Sequence, residues 1–124
     1  MSKSILIADD APIIRLMLKD IITPLGYQIV AEAANGEEAI QKYKEFKPDL
    51  VTMDIIMPIK NGIEALSEIL KLNPKAKVLM ISAIDQKEYL TKAIKIGATD
   101  YIVKPFEEAK VQIAIKKALG DHKL

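Results

Sequence analysis

The chain has 124 residues with no cysteine and no tryptophan, and its 18 basic side chains nearly balance 17 acidic ones. This length is typical of one domain that buries roughly two thirds of its unfolded surface around a single core. Without cysteine, disulfides, zinc–thiolate sites and thiol nucleophiles are excluded. A net charge of +1, with no clustered basic excess to neutralise phosphates, argues against nucleic acid as a partner.

No stretch of the sequence approaches the ~20 apolar residues that a membrane-spanning helix needs. The first apolar run, from Ser4 to Ala8, is too short for a signal peptide and is followed at once by Asp9 and Asp10. We therefore expect a soluble, cytoplasmic domain with no membrane partner.

Short apolar runs alternate with segments of helical periodicity along the chain. Strands are predicted at Ser4–Ala8, Tyr27–Ala33, Leu50–Met53, Lys77–Ser82 and Tyr101–Val103. Each strand is followed by a predicted helix, within residues 14–25, 39–46, 63–70, 88–96 and 107–119.

Polar residues and prolines mark the boundaries of these helices. Asp10 is interpreted as the cap of the first helix, because Pro12 suits a first helical turn. Asn35 and Glu38 have the spacing of a capping box for the second helix. Pro58 together with Asn61 and Gly62 predicts a loop before the third helix.

The regular alternation of strands and helices predicts one α/β domain over residues 1–124, with a mostly parallel sheet. Continuous apolar strands are typical of a sheet that is buried on both faces by helices. In such folds the loops after the carboxyl ends of the strands form one edge where ligands bind.

Polar side chains collect at the predicted carboxyl ends. The first strand ends in Asp9 and Asp10, the third in Asp54, the fourth in Ser82 and the fifth in Lys104. Each residue alone has an ordinary structural interpretation as a cap, a turn residue or a solvated cation. Their joint placement at one sheet edge instead indicates a functional site.

Three carboxylates at one edge repel one another unless a cation joins them. An all-oxygen cluster without His or Cys favours Mg²⁺ over Zn²⁺. A Mg²⁺ site beside a lysine and a hydroxyl has the groups that phosphoryl transfer requires. Asp54, between the other acids and Lys104, is the better candidate for the nucleophile, with Asp9 and Asp10 as metal ligands.

Four sequence blocks together resemble the receiver domain of two-component response regulators, and in particular its single-domain chemotaxis regulators. The blocks are ILIADD, DIIMPIKNG from Asp54 to Gly62, ISA from Ile81 to Ala83 and GATDYIVKPF from Gly97 to Phe106. The resemblance extends from about Ser4 to Leu119. It implies a flavodoxin-like doubly wound sheet of five parallel strands in the order 2-1-3-4-5, with five helices.

The resemblance also implies a role for each site residue. Asp54 would accept a phosphoryl group from a histidine kinase of the CheA type. Asp9, Asp10, Asp54 and the backbone carbonyl of Ile56 would bind Mg²⁺.

Three further residues complete the implied machinery. Ser82 and Lys104 would contact the phosphoryl oxygens, and Tyr101 would be the switch aromatic. The ordinary alternative for Tyr101 is a strand residue with its ring in the core. The Lys104–Pro105 bond is expected to be cis.

The implied function is a phosphorylation-activated signalling switch in chemotaxis or motility. Its target would be a protein such as a flagellar or archaellar motor component, with an auxiliary phosphatase as a further candidate partner. We expect a monomer whose only chemistry is its own phosphorylation and autodephosphorylation. A phosphorelay intermediate that passes the group to a histidine phosphotransfer protein is the alternative, and a receiver cut from a DNA-binding regulator is a third.

Enzyme classes with related features fit the sequence less well. A haloacid-dehalogenase-type phosphatase needs a second Asp where Ile56 stands, and a flavodoxin needs a phosphate-binding loop after the first strand. Ile56 and Ile84 are apolar where the chemotaxis regulators often have polar residues, which predicts slow autodephosphorylation. No ligand partner is expected for His122.

Overall fold

A computed structural model describes residues 2–83 and 85–121 of the chain. Its strands are β1 (Ser4–Ala8), β2 (Gln28–Ala33), β3 (Leu50–Asp54), β4 (Val78–Ala83) and β5 (Asp100–Lys104). Its helices are α1 (Pro12–Ile22), α2 (Gly36–Phe46), α3 (Gly62–Leu72), α4 (Lys87–Ile96) and α5 (Glu108–Ala118), and a 3₁₀ turn at Thr23–Leu25 follows α1. Among the residues described, no helix has the length and hydropathy to cross a bilayer.

The five strands form one sheet in the order β2-β1-β3-β4-β5, and neighbouring strands are parallel. This order confirms the predicted flavodoxin-like fold. Three strands extend one residue further at their carboxyl ends than predicted, so that Asp54 and Lys104, like Ser82, belong to strands rather than to the loops that follow. Backbone pairing within the sheet therefore holds the main chain of all three residues.

Apolar side chains on the two faces of the sheet form two separate cores. In β1, Leu6 and Ala8 face the core covered by α2, α3 and α4, whereas Ile5 and Ile7 face the core covered by α1 and α5. The alternation follows from the two-residue period of a strand. Because both faces are covered, the polar carboxyl edge is where the central strands reach solvent.

The helix caps differ from the predicted ones. Asp10 is not a cap: α1 has Ala11 at its N-cap without a side-chain hydrogen bond. Asn35 caps α2 as predicted, but Glu38 accepts from the Ala34 nitrogen at 2.8 Å and so leaves the box incomplete. A complete box instead begins α3, where Asn61 and Glu64 accept from each other's backbone nitrogens.

The expectation that basic residues do not cluster is wrong at the amino edge of the sheet. Segments that precede different strands meet there because all strands are parallel. They surround one cleft, whose basic residues are Lys3, Lys44, Lys47, Lys75 and Lys77. The nearly neutral total charge of the chain hides this concentration.

Two glycines hold the loop between β3 and α3. A Cβ atom on Gly62 would lie 2.0 Å from the carbonyl oxygen of Asp54, and one on Gly36 would lie 2.2 Å from that of Lys60. The backbone nitrogens of the same glycines donate to Ile55 and Lys60 at 2.7 and 2.8 Å. The amino ends of α2 and α3 therefore both pack directly against this loop.

We expect Gly62→Ala and Gly36→Ala each to lower the free energy of unfolding by about 2 kcal/mol or more, because the new methyl group overlaps backbone. Gly26→Ala is the matched control: Gly26 has φ +92° and nothing within 4 Å, so its cost is about 1 kcal/mol of backbone strain. Urea denaturation measures all three. Equal losses would show that the close approaches are not the cause.

Candidate functional site

Three carboxylates meet at the carboxyl edge of the sheet. Asp9 and Asp10 follow β1, and Asp54 ends the neighbouring strand β3. One carboxylate oxygen from each lies within 4.8 Å of the others. Asp9 is 1% exposed and Asp54 6% exposed, whereas Asp10 is exposed to solvent. The structure thus brings together the predicted acids around one point that solvent reaches from the side of Asp10.

Lys104 bridges two of these acids from β5. Its Nζ lies 3.2 Å from Oδ2 of Asp9 and 3.3 Å from Oδ1 of Asp54. The Lys104–Pro105 peptide bond is cis, as the sequence resemblance implies. One ammonium group therefore offsets part of the charge of two buried carboxylates and leaves the cluster negative.

The pKa of Asp54 reflects burial and this excess of negative charge. Burial, followed by the charge of Asp9, raises the pKa of Asp54 to about 6, and Lys104 opposes the rise. A cation among the three carboxylates would favour the ionised form. Three anionic oxygen donors without nitrogen or sulfur suit a hard ion such as Mg²⁺.

Ser82 contributes a hydroxyl that lacks a partner. It lies in β4, next to β3, and is fully buried. Within the described part of the chain its Oγ forms no hydrogen bond, which costs about 1–3 kcal/mol for a buried polar group. A buried hydroxyl of this kind is available to donate to an acceptor that arrives at the site.

The backbone oxygen of Ile56 is also available. It accepts no hydrogen bond from residues 2–83 or 85–121, whereas the oxygen of the preceding Ile55 accepts from Gly62. The Ile56 side chain is 48% exposed. The carbonyl oxygen of Ile56 therefore has no hydrogen-bond donor among the described residues that would compete with a metal ion.

Tyr101 lies apart from the acids on β5 and is 48% exposed. Its ring lines a cleft with Leu90, Ile94 and Lys95 of α4 and with Val103. The ordinary interpretation, a ring packed in the core, is therefore wrong for this conformation. Two other residues of the sequence analysis, Ile84 and His122, lie outside the described residues.

Arg15 is a site residue that sequence analysis missed. Its Nη1 donates to the carbonyl oxygen of Asp9 at 2.7 Å, and its Nε contacts Glu32 of β2 at 3.0 Å. Lys19 binds the other oxygen of Glu32 at 2.9 Å. An arginine one turn into the helix after an acidic pair was the available signal. These contacts fix the backbone that carries Asp9 and Asp10.

The fold and the acidic site are both found in a known family of proteins. Residues 5–116 match the family model of the response regulator receiver domain. The chain is 55% identical over 117 residues to the chemotaxis protein CheY of Thermotoga maritima, covering 94% of this chain and 98% of that protein. It is 50% identical over 120 residues to CheY of Bacillus subtilis, covering 97% and 100%.

A solved structure agrees with these sequence matches. CheY in the CheX–CheY–BeF₃–Mg²⁺ complex of Borrelia burgdorferi is 38% identical, with a TM-score of 0.88 over 93% of this chain and 87% of that one. The class is that of two-component signalling proteins. Within it, the protein belongs to the response regulator receiver domain family, and its similarity to CheY proteins indicates chemotaxis signalling.

We expect Asp54→Asn to stabilise the metal-free protein at pH 7.5 by about 3 kcal/mol. The pKa of Asp54 rises from 3.8 to about 6 on folding, so ionising this carboxyl costs stability as the pH rises through that range. The gain from the isosteric amide should be full above pH 7 and vanish near pH 4. Urea denaturation in EDTA measures it, with the exposed Asp20→Asn as the control. A gain in the free energy of unfolding that does not depend on pH would contradict the raised pKa of Asp54.

Proposed function

We propose that the protein is a phosphorylation-activated signalling switch in which Asp54 accepts a phosphoryl group from a histidine kinase. The observation that supports this most directly is the environment of Asp54. A nearly buried carboxylate lies beside two further acids and a lysine, with the unpaired hydroxyl of Ser82 on the adjacent strand.

In the proposed mechanism, Asp9, Asp10, Asp54 and the Ile56 carbonyl would hold Mg²⁺, which would supply positive charge against the negative phosphoryl oxygens. An oxygen of ionised Asp54 forms a bond to phosphorus, and the bond from phosphorus to the kinase imidazole nitrogen breaks. Lys104 binds an equatorial oxygen. Since the pKa of Asp54 is about 6, the carboxylate is mostly ionised above pH 7.

Activation then uses the Ser82 hydroxyl. An aspartyl phosphate supplies new acceptor oxygens, and Ser82 moves toward one of them. Tyr101, exposed in the present conformation, turns inward beside α4 and changes the surface formed by α4, β5 and α5.

The proposed pathway is chemotaxis or motility, supported by identity of 50% or more to two CheY proteins. Proposed partners are a CheA-like histidine kinase and a flagellar or archaellar motor component. A CheX-type phosphatase is added because the similar Borrelia burgdorferi protein forms a complex with CheX. We further propose one receiver unit over residues 1–124 that acts as a cytoplasmic monomer and catalyses only its own phosphorylation and dephosphorylation.

The first test is incubation with acetyl phosphate and Mg²⁺. We expect wild type to incorporate one phosphoryl group and Asp54→Ala to incorporate none. Mass spectrometry under conditions that preserve acyl phosphates measures the incorporation. Asp20→Asn removes an exposed carboxylate elsewhere and should behave as wild type. Incorporation that survives in Asp54→Ala would overturn the site assignment. Transfer from the phosphorylated protein to a histidine phosphotransfer protein would instead favour the phosphorelay alternative.

The switch is tested with beryllofluoride and Mg²⁺, which together mimic the aspartyl phosphate. We expect the ring resonances of Tyr101 to change in wild type and to change much less in Ser82→Ala, because the variant lacks the hydroxyl that follows the phosphoryl oxygen. NMR spectra of both proteins measure the effect, with Asp54→Asn as the control that binds no mimic. An unchanged Tyr101 in wild type would exclude its switch role.

The third test concerns the lifetime of the phosphoryl group. Ile56, whose side chain is half exposed beside the site, offers no hydrogen bond to an attacking water. We expect Ile56→Asn combined with Ile84→Glu to shorten the phosphoryl half-life by about tenfold, since a side chain that orients the attacking water contributes less than the roughly 10²-fold or more of full general base catalysis. Loss of acyl phosphate over time measures it. An equal or longer half-life in the double variant would contradict the prediction.

A further inference from the structure

A second site candidate lies at the amino edge of the sheet, opposite the acidic site. Its cleft of about 540 Å³ lies between the end of α2 and the loop that connects α3 to β4. This volume is in the range of small-molecule sites. A five-residue strand spans roughly 16 Å, so the cleft and the carboxylates are separate sites.

The cleft carries an excess of uncompensated positive charge. Lys44, Lys47, Lys75 and Lys77 line it, and none of the four has an ion-pair partner within the described residues. Other exposed lysines, such as Lys92 and Lys116, also lack an ion pair among the described residues, but these four line one cleft. The ammonium groups at the cleft are therefore free to bind an anion.

The one acid that lines the cleft is already in use. Asp49 Oδ2 accepts from the backbone nitrogen of Ser4 at 2.7 Å and from its hydroxyl at 3.2 Å. Lys3, the fifth lysine, donates to the Leu119 carbonyl and contacts Asp121. The five lysines that line the cleft therefore outnumber its one carboxylate, and the cleft has a net positive charge.

Helix ends explain part of this cluster but not all of it. Lys44 and Lys47 lie at the carboxyl end of α2, where cations are favoured by the helix dipole. Lys75 lies just past the carboxyl end of α3, where the same dipole favours a cation, whereas Lys77 directly precedes β4. Lys47 also adopts φ +44°, a conformation that glycine adopts at lower cost.

A neutral donor and an apolar wall complete the cleft. The Tyr43 hydroxyl accepts from Asn73 Nδ2 at 3.0 Å, and its own proton has no acceptor in residues 2–83 or 85–121. Leu72 is half exposed on the cleft wall, next to buried Pro48 and Ala76. The combination offers point charges for phosphate oxygens, one hydroxyl donor and apolar surface for an organic group.

We propose that this cleft binds a small organic molecule that carries two or more phosphate groups, of the class of nucleoside diphosphates. Single point charges on flexible stems suit phosphate oxygens, and four of them around one cleft suit more than one phosphate group. The charges surround a compact cleft rather than following a long track, which favours a small molecule over a nucleic acid or an extended acidic peptide. The proposal does not depend on phosphorylation of Asp54.

NMR titration of the whole chain with ADP and with inorganic pyrophosphate tests the proposal, in EDTA and 150 mM NaCl. Amide shifts should move saturably at residues 43–49 and 72–77 and stay small around Asp54. ADP should bind more tightly than pyrophosphate because its nucleoside covers the apolar wall.

The variant Lys44→Gln/Lys47→Gln/Lys75→Gln should weaken ADP binding by about tenfold or more. The charge-preserving Arg triple variant should retain it. Lys92→Gln/Lys116→Gln/Lys117→Gln removes three exposed lysines elsewhere and should leave the affinity within about twofold. Urea denaturation confirms that each variant is folded.

Three outcomes would overturn the proposal. One is that neither ADP nor pyrophosphate binds saturably. Another is equal weakening by the two Gln triple variants, which would indicate attraction to net charge alone. The third is displacement of pyrophosphate by hexaglutamate at lower concentration than by ADP, which would assign the cleft to an acidic peptide.

Discussion

Mutual repulsion among three carboxylates is the constraint on which the carboxyl edge of the sheet depends. One carboxylate oxygen from each of Asp9, Asp10 and Asp54 lies within 4.8 Å of the others, and among the described residues Lys104 is the one cation that forms an ion pair with Asp9 and Asp54. Because β1 and β3 are hydrogen-bonded neighbours, sheet pairing keeps the backbones of Asp9 and Asp54 close together. The fold therefore stores an unfavourable charge arrangement that a divalent cation and a phosphoryl group would turn into a favourable one.

Stability for this arrangement comes from elsewhere in the molecule. The two apolar cores on the faces of the sheet bury most of β1, β3 and β4, and hydrophobic burial of this extent exceeds the cost of a few strained polar groups. Arg15 adds a local contribution, because its bonds to Asp9 and Glu32 link α1, β1 and β2 just below the acids. The unpaired hydroxyl of Ser82 is a second cost that the same cores offset.

Sequence patterns predicted the fold and the acids well because both depend on local, periodic signals. Alternating apolar runs specified the strands to within two residues, and acids at strand ends could meet only at one edge of a parallel sheet. Side-chain geometry was less accessible. Asp10 has the residue type of a cap, yet Pro12 has no backbone N–H to donate to a cap, and Ala11 occupies the N-cap position. The contact of Arg15 with a backbone carbonyl produces no periodic sequence pattern. The same holds for the cleft that Lys44 and Lys75 both line, since both features depend on packing between separate segments.

The loop after β3 packs closely against two helices, and this makes the two sides of the acidic site different. Gly36 and Gly62 leave no room between this loop and the amino ends of α2 and α3, so that side of the acidic site behaves as a rigid wall. The opposite side is looser: Ser82 has an unsatisfied hydroxyl and Tyr101 stands in solvent. The structure therefore leaves more room for movement on the side of β4 and β5 than on the side of the loop after β3.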